Sequence, residues 1–90
     1  MLSTDLKVCY YIYKFNDIEG KKIWFSKLVE TFNDASRSTI SKSIDKLFDL
    51  GMIDGKWEKA EGKWTRVFKI SGEAKDFVKT MYENTTPPSN

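Results

Sequence analysis

Residues Ser36-Arg37-Ser38-Thr39-Ile40-Ser41-Lys42-Ser43-Ile44-Asp45-Lys46-Leu47 lead on to Gly51-Met52-Ile53. Ser36 suits a helix N-cap, because its hydroxyl accepts from an amide two or three residues on that has no partner inside the helix. Ile40, Ile44, Leu47 and Phe48 follow at i, i+4, i+7 and i+8, the spacing of one helical face. Gly51 predicts the stop, since glycine tolerates the left-handed backbone wanted just past a helix C-terminus. The expected helix runs from 36 to about 50. With its aliphatics turned inward, Arg37, Ser38, Ser41, Lys42 and Asp45 turn outward.

Upstream, Asn33-Asp34-Ala35 is polar and reads as a short turn. Before it, Ser26 is a candidate cap for a helix whose inward stripe is Leu28, Val29 and Phe32. Lys22-Ile23-Trp24-Phe25 is too short for a helix and rich enough in β-formers for a brief strand. From Thr4 to Phe15, apolar residues fall on nearly every side, so a helix there would be buried on more than one face. Asn16-Asp17 and Gly20 are expected to break it.

Downstream the period changes to two. Ile53 to Glu58 and Lys63 to Ile70 read as strands, with Lys59-Ala60-Glu61-Gly62 as the hairpin loop. That loop sets Glu58 opposite Lys63, Trp57 opposite Trp64 and Ile53 opposite Phe68, with all four large side chains on one face. Ser71 can cap a last helix with Glu73 in its first turn and Ala74, Phe77, Val78 and Met81 along its apolar side. Residues 1–84 are expected to form one domain, and 85–90, ending Pro-Pro-Ser-Asn, a disordered tail.

Composition excludes much. The chain has 90 residues, one cysteine and no histidine, so no internal disulfide can form and the commonest metal ligand and neutral-pH base are missing. No glycine-rich phosphate loop or metal-ligand cluster is present, and an enzyme is not expected; nor is a metal or cofactor. Cys9 lies in an apolar run and reads as a small core residue. No stretch approaches the roughly 18–20 apolar residues of a membrane span, and no signal-peptide layout is visible, so a cytoplasmic protein is expected. The net charge of +2 arises between Ser36 and Arg66, where Arg37, Lys42, Lys46, Lys56, Lys59, Lys63 and Arg66 outnumber the acids; charge is balanced on either side.

In order, these segments are helix, short strand, helix, helix, two-stranded hairpin, helix. The Ser/Thr-rich helix start with spaced aliphatics, Leu47 and then Gly51-Met52-Ile53 resembles the recognition helix and following wing strand of winged helix-turn-helix regulators, MarR-like and related archaeal and bacterial ones. The likeness covers about Ile23 to Ile70. It implies an α+β fold with a three-helix core, a short strand plus a two-stranded β-hairpin wing, and a C-terminal helix. It also implies sequence-specific binding of double-stranded DNA by a transcriptional regulator, with helix 36–50 in the major groove.

The residue types suit that chemistry. Short hydroxyls at Ser36, Ser38, Thr39 and Ser41 let a helix come close to DNA and bond to phosphates or base edges, Arg37 can pair with guanine or a phosphate, and Lys42 and Lys46 suit phosphates. Lys59 and Lys63 are placed for the wing to touch the backbone, while Glu61 opposes it. A solvated helix face and an ordinary charged loop remain the plainer readings. Trp57 and Trp64 read as a brace for the hairpin or as a base-stacking platform. Tyr10, Tyr11, Tyr13, Phe77, Met81 and Tyr82 exceed what a small core should bury, and the resemblance implies a homodimer through such terminal helices; rings lying as lids over one core are the alternative. No small-molecule effector is legible. The rival function is a winged-helix protein–protein interaction module, favoured by the low net charge and the acids near the proposed DNA face.

Overall fold

The computed structural model describes residues 3–33 and 35–85. Its frame is set by the predicted central helix. Helix α3 spans Arg37–Asp49 and is preceded by α1 (Thr4–Tyr13) and α2 (Phe25–Thr31). The antiparallel strands β1 (Ile53–Ala60) and β2 (Lys63–Ile70) and helix α4 (Lys75–Thr85) follow. Among the described residues the fold is a small α+β domain of four α-helices and one hairpin.

Both ends of α3 form as its sequence dictates. The Ser36 hydroxyl accepts from the Thr39 amide at 3.1 Å. At the other end Gly51 has φ 70°, and the Gly51 and Met52 amides donate back to the Phe48 and Leu47 carbonyls, each at 3.0 Å. This is a Schellman stop, which satisfies carbonyls the helix leaves free. Ile40, Ile44 and Leu47 are buried with Val8, Ile12, Leu28, Ile53 and Val78 in one core.

The first helix does not break at Asn16-Asp17. Lys14–Ile18 continues it as a wide π turn, in which the Glu19 amide donates to the Lys14 carbonyl at 2.9 Å. Asn16 has a tertiary task there: its side-chain amide donates to the Ile12 carbonyl at 3.1 Å and to the Phe68 carbonyl at 2.9 Å, tying this helix to β2. The strand expected at 22–25 is reduced to one bridge, Trp24 with Val67, beside the Phe68 amide donating to the Ile23 carbonyl at 2.9 Å. Because the chain is anchored at this bridge, it turns into α2 at once. Trp24, not Ser26, occupies the N-cap, and Ser26 lies in the first turn.

The hairpin register differs from the expected one by two residues. Ala60 pairs with Lys63, leaving a two-residue turn of Glu61 and Gly62, with Trp57 opposite Arg66, Lys59 opposite Trp64 and Gly55 opposite Phe68. Both turn residues have positive φ, 53° and 78°, the combination whose twist matches that of paired strands. An even shift preserves the faces, so Trp57 and Trp64 still share one, as diagonal rather than direct neighbours. Glu58 is not paired with Lys63 but held by Lys22 at 3.1 Å and Lys69 at 3.2 Å. These two cations hold its carboxyl below the ordinary value of 4.5. Glu61 is the strained member of the turn, since a left-handed conformation disfavours most side chains. Glu61→Asn is therefore expected to stabilise the domain by about 0.5–1 kcal/mol, read as a rise in melting temperature; an unchanged or lower value would contradict the turn assignment.

Ser71 follows β2 and starts the turn into α4. Its hydroxyl donates to the Gly51 carbonyl at 2.7 Å and accepts from the Ala74 amide at 3.2 Å, linking the end of the hairpin to the stop of α3. Thr85, expected to open the tail, closes α4, its hydroxyl 3.4 Å from that of Tyr10. The rest of the expected tail, 86–90, and Asp34 of the expected turn lie outside the described residues.

Candidate nucleic-acid interface

The outward face of α3 carries Ser38, Ser41, Lys42, Asp45 and Asp49, all exposed. The helix is about 20 Å long at 1.5 Å per residue. Its first half is hydroxylic and basic and its second half acidic, so an anion is favoured at the N-terminal end, where free amides and the helix dipole act in the same sense. Ser36 and Thr39 are partly committed to one another, their hydroxyls 2.9 Å apart within the cap. The Arg37 guanidinium lies over the Phe25 ring at 5.0 Å from its centroid, a contact from α2 that orients the side chain. Among the described residues Arg37, Lys42, Lys59 and Lys63 make no ion pair.

Lys46 is different. It flanks the face and is engaged by Asp5 of α1 at 3.1 Å, while Ser43, one turn earlier and turned inward, donates its hydroxyl to the other Asp5 oxygen at 2.7 Å. The Ser43 hydrogen bond and, after an opposing effect of burial, the Lys46 cation hold the Asp5 carboxyl below its ordinary 3.8. Asp5 thus positions α3 against α1. Sequence reading missed it because an acid in a first helical turn looks like an ordinary favourable charge for the helix dipole.

The hairpin packs its base on α3. Phe68 meets Phe48 edge-on at 5.9 Å, and the Arg66 guanidinium lies over the Phe48 ring at 4.2 Å, crossing Gly55 so closely that a Cβ there would collide with it. Lys59 and Lys63, both exposed near the turn, are on opposite faces. Lys63 borders a cleft of about 190 Å³ with Trp24, Ser26 and Thr65, below the roughly 300 Å³ at which ligand pockets begin. The Lys22 ammonium bonds the Lys59 carbonyl at 2.9 Å and so steadies the hairpin from behind.

The aromatic residues expected at a dimer surface are divided. Tyr10 and Tyr13 are buried, contrary to the expectation that a core this small could not hold them, because α4 folds back over α1 and Tyr82 packs against both, at 5.7 and 5.3 Å between ring centroids. Tyr11 is half-buried edge-on to Phe32. Met81 and Tyr82 are half-buried, and Phe77 is exposed. Cys9 is fully buried, with its thiol pushed up to about 11 by loss of solvent, which leaves it protonated and inert near neutrality. Among the described residues no group of His, Cys, Asp and Glu side chains is arranged to hold a metal, and no helix is long and apolar enough to cross a membrane.

No protein-family model matches the chain, nor does any curated protein. Solved structures do resemble it. AF1382 from Archaeoglobus fulgidus superposes with a TM-score of 0.70 at 14% identity, over 89% of this chain and 81% of that one. The circadian clock associated protein Pex from Anabaena does so with a TM-score of 0.67 at 20% identity, over 92% of this chain and 79% of that one. At such identities what is shared is the fold.

Proposed function

We propose that this chain is a winged helix-turn-helix domain that binds double-stranded DNA in a sequence-specific way, as a transcriptional regulator does. In this reading α3 enters the major groove N-terminus first and the β1–β2 hairpin is the wing. The observation that carries it is the exposed start of α3. Ser38, Ser41 and Lys42 stand outward on a helix whose opposite face is locked into the core, with Arg37 aimed by Phe25 beside them. Helices of this class read base edges with their N-terminal residues, and the acids of this one are confined to its second half.

The test is a titration into labelled duplex DNA, from a random pool and from the region upstream of the gene, at two salt concentrations. Binding is expected to weaken steeply with salt. Lys42→Ala should flatten the slope of log K against log salt by about 0.9, the value for one lost phosphate contact. Arg37→Ala should cost about 1–3 kcal/mol and relax sequence preference if the arginine meets a base. Full affinity in both variants would remove α3 from the interface.

Asp45 and Asp49 support a second reading, in which the outer face of α3 docks on a basic protein surface. Wild-type protein that ignores duplex DNA even at low salt would select it. A homodimer remains part of the proposal, resting now on exposed Phe77 with Met81 and Tyr82 beside it, since Tyr10 and Tyr13 are spent inside the core.

A further inference from the structure

Trp57 and Trp64 are 68% and 66% exposed. They contribute little to the core, although an indole is among the side chains that gain most from burial. The register explains what they present. Trp57 lies opposite Arg66 and Lys59 opposite Trp64, so indoles and cations alternate in a checkerboard on one face of the hairpin. The acids of the strands, Asp54 and Glu58, point to the other face, where Glu58 is held by Lys22 and Lys69. Among the described residues Lys59 and Arg66 make no ion pair. The surface therefore offers two aromatic planes and positive charge without a carboxylate between them.

A partner for such a surface has flat π faces repeated along an anionic chain. Bases in a duplex hide those faces inside the stack; unpaired bases expose them. Diagonal cross-strand neighbours stand about 7–8 Å apart, close to two base-stacking steps of about 3.4 Å. We propose that this face of the hairpin is a stacking platform for unpaired nucleotides of single-stranded DNA, with Trp57 and Trp64 each taking a base and Lys59 the adjoining phosphate. The platform extends the DNA reading above but does not depend on α3 entering a duplex.

The experiment titrates the full chain with fluorescein-labelled oligothymidylate of fifteen or so nucleotides, an abasic strand of equal length, and a blunt duplex, following both anisotropy and tryptophan quenching. Oligothymidylate should bind with quenching, and the abasic strand at least tenfold more weakly. Trp57→Ala and Trp64→Ala should each weaken oligothymidylate binding by about tenfold and duplex binding by less than twofold. Both side chains are exposed, so the variants should melt as the parent does. Conversely, Arg37→Ala should spare oligothymidylate and weaken the duplex, which separates failure of the platform from failure of the α3 reading. The proposal is overturned if the wild type ignores oligothymidylate, if abasic and thymidine strands bind equally, or if the tryptophan variants lose duplex and single strand alike.

Discussion

Leu47→Ala should lower the stability of the domain by about 2–5 kcal/mol, out of a total that for domains of this kind is about 5–15 kcal/mol. Leu47 is 1% exposed, the last inward residue of α3, and its carbonyl accepts the Met52 amide that closes the helix stop. Truncation opens a cavity in the core that Leu47 shares with Val8, Ile12, Leu28 and Ile53, and side chains held on several elements cannot all collapse into it. At roughly 4–8 °C per kcal/mol for a domain of this size, the melting temperature should fall by at least about 8 °C. Urea unfolding checks the result: the midpoint should drop with its slope unchanged. A loss below about 1 kcal/mol would mean that α3 is not seated on the core as described. Because the proposed DNA face is the other side of the same helix, this variant should also bind DNA poorly at temperatures where it is partly unfolded.

Asp5→Ala should act on stability and binding in opposite directions. Removing the carboxylate leaves the Ser43 hydroxyl, almost fully buried at 3% exposure, without its acceptor, at a cost of about 1–3 kcal/mol. It also frees Lys46 on the flank of α3 and removes one negative charge near a proposed anionic partner. DNA affinity at low salt should rise, and the salt slope should steepen by about 0.9 if Lys46 then meets a phosphate. Asp5→Asn, which retains an oxygen for Ser43, should keep much of the stability while still releasing Lys46. The pH dependence follows from the lowered carboxyl. Its contribution is fully present above the ordinary value of 3.8 and is lost as pH falls through the lower folded value. Acid unfolding of Asp5→Ala should therefore lack part of the decline that the wild type shows below that pH. If Asp5→Ala melts like the wild type at neutral pH, the α1–α3 latch contributes nothing.

Where cap, periodicity and stop agreed, as in α3, the sequence was decisive. Ser36, the spacing of Ile40, Ile44 and Leu47, and Gly51 specified α3 with both its ends, since capping and helical periodicity depend on residues within a turn or two of one another. The same holds for the existence of the hairpin and for which strand residues share a face, because alternation survives an even shift in register. What tertiary structure decided was everything that depends on a partner distant in the chain. Glu58 found Lys22 rather than Lys63 because segment 22–24 lies against β2. Asn16 became a tie to Phe68, 52 residues away, rather than a helix breaker. Tyr10 and Tyr13, expected at a dimer surface, lie in the core under α4, and Lys46 was drawn aside by Asp5. Short-range backbone geometry is written in neighbouring residues, whereas the assignment of a charge, an amide or a ring is settled only when packing brings its competitors within reach.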